Sequence, residues 1–96
     1  MNEGERRLNE YLERLQFPEL SPGEALDLLE IRSSLALWEP VFSDEDLTRL
    51  SDGDDTLLRL APRILQALSA LGSMEQLRDE RHAPSAQWWW HLERLD

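Results

Sequence analysis

Thr56-Leu57-Leu58-Arg59-Leu60-Ala61-Pro62-Arg63-Ile64-Leu65-Gln66-Ala67-Leu68-Ser69-Ala70-Leu71 decides the fold of this chain. Apolar residues fall almost all the way round a helical wheel, and only Arg59, Arg63, Gln66 and Ser69 interrupt them, on a narrow stripe. A helix of that kind belongs in the middle of a bundle. Pro62 removes one backbone hydrogen bond from it, so the spacing predicts a kink there, or a break with a fresh start. Gly72 is the expected stop, in the left-handed conformation. The fold class that follows is all-α: a compact bundle of about five to six short helices around a buried, Pro-kinked central helix, in a single domain over residues 1–96.

The flanking segments supply the other helices. Upstream, Ser43 caps a short third helix over Asp44 to Leu50, its first-turn acids favoured by the helix dipole and Phe42 stapling onto Leu47. Ser51-Asp52-Gly53-Asp54-Asp55 is then a run of turn formers. Ser21-Pro22-Gly23-Glu24 combines a cap, a first-turn proline and a capping-box glutamate, and starts a helix running to about Trp38, where Glu39-Pro40 stops it. Leu8, Tyr11, Leu12 and Leu15 make the i, i+3, i+4, i+7 stripe of an amphipathic first helix over Asn2 to Gln16, ended by Phe17-Pro18. Downstream, Ser73 with Gln76 starts a mostly charged helix that Ala83-Pro84 breaks, and Ser85 is placed to cap a last one. Hardly any run alternates at period two, so strands are not expected.

That last helix holds Trp88, Trp89 and Trp90. At about 100° per residue, Trp88, Leu92 and Leu95 share a face, Trp89 flanks it and Trp90 points nearly the opposite way. One core cannot take all three rings. Trp88 and Trp89 are expected to close the core against Tyr11, Trp38 and the central helix. Trp90 needs a separate cover: the first helix, a second copy or a partner protein.

Charge excludes several function classes. The chain has 20 Asp and Glu against 10 Arg, no Lys, and a net charge of −10. Duplex binders show a basic stripe, so direct nucleic-acid binding is not expected. Acidic character also opposes an anionic membrane surface. No cysteine is present, which removes disulfides, thiol catalysis and Cys-based zinc sites. No apolar run reaches the length of a signal peptide or a membrane span, so a cytoplasmic protein is the expectation.

The chemistry of sites gives little. Counting back from Gly53 as the sixth position of a calcium loop puts Thr48 and Leu50 where ligands must be. His82 and His91, the only imidazoles, lack the spacing that places two ligands on one helix face. Ser21, Ser43, Ser73 and Ser85 read as caps rather than nucleophiles. No catalytic residue, cofactor or metal is therefore expected, and the protein is not expected to be an enzyme. The expected function is a small acidic protein-interaction module, an adaptor, inhibitor or regulator. It would bind another protein through a tryptophan-rich face (Trp89, Trp90, His91 and Arg94) and an acidic patch (Asp44, Glu45, Asp46, Asp52, Asp54 and Asp55). A homodimer is a further candidate partner. The alternative is an acidic mimic of nucleic acid, of an antitoxin or anti-defence type, occupying a basic protein. An undetected enzyme or metal binder is the third reading.

Overall fold

A computed structural model describes residues 2–16, 18 and 20–94. Its elements are α1 (Glu3–Gln16), α2 (Pro22–Ala36), a 3-10 turn (Glu39–Val41), α3 (Asp44–Leu68), α4 (Met74–Arg81) and a C-terminal 3-10 segment (Trp88–Arg94). The chain is an all-α bundle, with no strand among the described residues. Three serines cap as their positions predict. The Oγ of Ser21, Ser43 and Ser73 accepts from the amides of Glu24, Asp46 and Gln76 at 3.3, 3.1 and 3.1 Å, each cap contributing about 1 kcal/mol. The expected helix end at Phe17 and the Leu95 position on the tryptophan face lie outside the described residues.

The largest departure from expectation is α3, a single 25-residue helix. The expected turn at residues 51–55 does not form, because Leu50, Gly53, Leu57, Ala61, Ile64 and Leu68 continue one buried stripe through it. Burial along that stripe overrides the local turn propensity of Ser51 to Asp55. No break occurs at Pro62 either. Pro62 and Leu58, whose carbonyl loses its partner, are both on the exposed side of the helix. The wheel of Thr56–Leu71 is thus buried on one face and not all round. The helix buried most fully is α2, through Ala25, Leu28, Leu29, Ile31, Arg32 and Leu35, and it packs on α1, on α3 and on the C-terminal segment.

Gly53 is what lets α1 and α3 approach. A Cβ there would lie 2.7 Å from Leu12 Cδ2 and 3.1 Å from Tyr11 Cε2. Alanine in an open helix site gains up to about 1 kcal/mol over glycine, whereas overpacking costs about 1–3 kcal/mol. Gly53→Ala is therefore expected to destabilise the protein in urea unfolding, although it improves helix propensity.

Two residues with positive φ shape the C-terminal third. Helix α3 ends at Leu68, short of the expected stop at Gly72, with Ser69 as its cap in the right-handed region (φ −58°, ψ −24°). A turn over residues 69–71 follows, and Gly72 at φ 143° leads the chain into α4. His82, at φ 50° and ψ 43°, ends α4 in the left-handed region, a place where glycine or asparagine is usual. The α-helix expected from Ser85 does not form. Ser85 lies in a turn, and the 3-10 segment that follows is interrupted at His91 (φ −124°, ψ 31°).

Candidate functional site

The 3-10 geometry exchanges the expected roles of Trp88 and Trp90, while Trp89 is buried as expected. At three residues per turn, Trp89 and Leu92 share a face, and both are buried, together with Trp90. Trp89 and Trp90 are 3% and 2% exposed, whereas Trp88 is only half-buried, its ring edge-on to Trp89 at 5.6 Å. The cover for Trp90 comes from α2 and α4 of its own chain. Both indole Nε1 groups, of Trp89 and Trp90, donate to Ser33 Oγ at 2.8 Å, and Ser33 Oγ donates onward to the Leu29 carbonyl at 3.1 Å. One donor and two acceptor positions exhaust that hydroxyl.

Three arginines hold the segment in place. Arg32 stacks 4.2 Å from the Trp89 ring centre and Arg81 lies 5.3 Å from that of Trp90, contacts worth about 0.5–2 kcal/mol each. Arg78 Nη1 donates to the Trp90 carbonyl at 2.9 Å and pairs with Glu93 at 2.6 Å. Arg81 is held in turn by Glu30 at 3.1 Å. None of Arg32, Ser33, Arg78 or Arg81 stands out in the sequence, because the partners of Arg32, Ser33 and Arg78 are distant in the chain.

Arg32 also belongs to a buried network. Its Nε and Nη2 donate to Asp54 Oδ1 and Oδ2 at 2.9 and 3.1 Å, and Nη2 reaches Glu39 at 3.0 Å. Tyr11 donates its hydroxyl to Asp54 Oδ1 at 2.7 Å. Burial would lower the Arg32 guanidinium, but its hydrogen bonds and the charges of Asp54 and Glu39 outweigh that and leave it raised. Burial, then the Asp54 charge and hydrogen bond, push the Tyr11 phenol far above its ordinary value. Unfolded tyrosine titrates at about pH 10. Below that pH folded and unfolded chains both keep the proton, and the contribution is intact. Above it the unfolded chain releases a proton that the folded chain retains. Stability should then fall by about 1.4 kcal/mol per pH unit, a slope that urea titrations of Tyr11→Phe should lack.

The acidic candidates divide. Because α3 is continuous, Asp44, Glu45, Asp52 and Asp55 lie within about 100° of one another on its exposed face. Asp46 is half-buried against Arg49. Asp54 faces the opposite way, into the Arg32 network, so it is not part of that face. Next to Asp44, the α2–α3 connection exposes Leu37 (81%) and Val41 (71%). The apolar run to Trp38 reads as one helix stripe, but α2 ends at Ala36 and leaves Leu37 outside it.

His82 and His91 open onto one cleft of about 570 Å³ between α4 and the C-terminal segment, with Arg78 and Arg94 on its walls. That convergence depends on the left-handed His82 and the break at His91. Among the described residues no group of three or more His, Asp or Glu converges as a metal-ion cage would require, and no helix is long and apolar enough to cross a membrane. Compared with protein-family models, characterised proteins and solved structures, the chain matches none.

Proposed function

We propose that the protein acts by binding another protein, through the α2–α3 connection. The observation that carries this reading is the exposure of Leu37 and Val41 on a tight turn beside Asp44 and Glu45. Single exposed apolar residues are ordinary. Two within five residues, flanking the exposed Pro40 on a 3-10 turn, make a compact apolar knob with an acidic edge, and apolar patches with polar rims mark contact sites. The complementary partner has an apolar groove with a basic rim. Trp89, Trp90 and their arginine clamps serve the fold in this reading.

A second reading has one observation in its favour. The exposed carboxylates of α3 from Asp44 to Asp55 span about 16 Å along one face, which suits a mimic of nucleic acid on a basic protein. A photo-crosslinking residue at position 40 separates the two. Under the first reading L37S/V41S loses the crosslinked partner while stability stays within about 0.5 kcal/mol. Under the second, L37S/V41S retains it and D52N/D55N loses it, with steep salt dependence. Retention by both variants would reject both readings.

A further inference from the structure

In this acidic chain eight of the ten arginines pair with a carboxylate. The two that do not, among the described residues, are Arg59 and Arg63, one turn apart on the exposed face of α3. The same face carries the exposed Asp52 and Asp55 one to two turns earlier. From these positions we infer that α3 pairs antiparallel with α3 of a second copy of the chain.

The sequence positions are self-complementary. Asp55 and Arg59 are centred on residue 57, and Asp52 and Arg63 half a residue further on. One two-fold axis at that level therefore sets Asp55 opposite Arg59 of the other copy and Asp52 opposite Arg63, giving four pairs, as an isologous contact requires. At about 100° per residue the four side chains fall within roughly 80° of helix surface. Leu58, 42% exposed and next to the axis, supplies apolar contact along their flank. Within one copy Asp55 and Arg59 stand at i, i+4, an exposed pairing too weak to withdraw them from an intermolecular contact. Arg49, the other arginine of α3, is already held by Asp46 and Asn9 of its own chain.

Salt is a poor test, because it screens both these pairs and the general repulsion between two acidic molecules. Charge reversal is a good one. D52R/D55R changes the net charge from −10 to −10 + 4 = −6, and R59E/R63E changes it to −10 − 4 = −14. If general repulsion governed association, D52R/D55R would associate more tightly than the native chain. The proposal expects the reverse. In sedimentation equilibrium over a concentration series the native chain should dimerise, and each double variant should weaken dimerisation by about tenfold or more. An equimolar mixture of the two variants should dimerise again, since every pair across the axis then joins an acid to an arginine. Circular dichroism should find all three chains equally helical, the altered residues being exposed. A monomeric native chain, a dimeric D52R/D55R or a monomeric mixture would each overturn the proposal.

Discussion

Asp54→Ala is expected to lower stability by about 3–5 kcal/mol, the cost of leaving a buried charge without its partner. Arg32 is 3% exposed, and Asp54 is its two-point acceptor. Glu39 alone would then face it, through a single nitrogen and from a half-exposed position. Tyr11, fully buried, would also lose the acceptor of its hydroxyl, an unsatisfied group costing about 1–3 kcal/mol on its own. The same three residues tie α1, α2 and α3 together, so the loss should appear as one cooperative shift in urea unfolding. Arg32→Met should cost less than Asp54→Ala, because the carboxylate it leaves unpaired is 18% exposed and keeps the Tyr11 hydroxyl, and methionine retains apolar volume over Trp89. Equal stability of Asp54→Ala and the native chain would mean that the network is open to water.

Trp90→Ala should cost about 3–5 kcal/mol, as for a large buried ring. Trp88→Ala should cost distinctly less, its ring being half-buried. An α-helical reading of residues 85–95 assigns these costs the other way round, with Trp88 in the core and Trp90 facing a partner. The difference comes from backbone geometry. A 3-10 segment interrupted at His91 turns Trp89 and Trp90 inward together, and Ser33 then satisfies both indoles with one hydroxyl. Thermal unfolding of the two variants side by side distinguishes the assignments, and a larger loss for Trp88→Ala would restore the helical one.

Helix starts and buried faces were legible where periodicity, caps and breakers agreed. The stripe at Leu8, Tyr11, Leu12 and Leu15 and the serine caps at 21, 43 and 73 all report local physics, and the structure follows them. The reading failed where tertiary burial outweighed local propensity. Ser51 to Asp55 looks like a turn because each residue favours one, yet Gly53 is needed against Tyr11 and Asp54 against Arg32, contacts made only once the helices meet. The C-terminal segment failed for a related reason. Its conformation is set by arginines and a serine from α2 and α4, and nothing within residues 85–95 reports them. Of the surface candidates, the acidic face of α3 was visible in composition. That it forms one line excluding Asp54, and that it adjoins an exposed apolar knob, depends on where α2 ends and on α3 being unbroken.

The tryptophan-rich end is buried inside the fold through Trp89 and Trp90, and the surfaces proposed to meet partners are the α2–α3 connection and the exposed face of α3. Hydrogen exchange at the indole Nε1 positions, followed by NMR on the intact chain, tests that burial most directly. Trp89 and Trp90 should exchange as slowly as the core amides of α2, and Ser33→Ala should speed both together. A Trp90 indole proton exchanging at the rate of free tryptophan in the native chain would contradict the account.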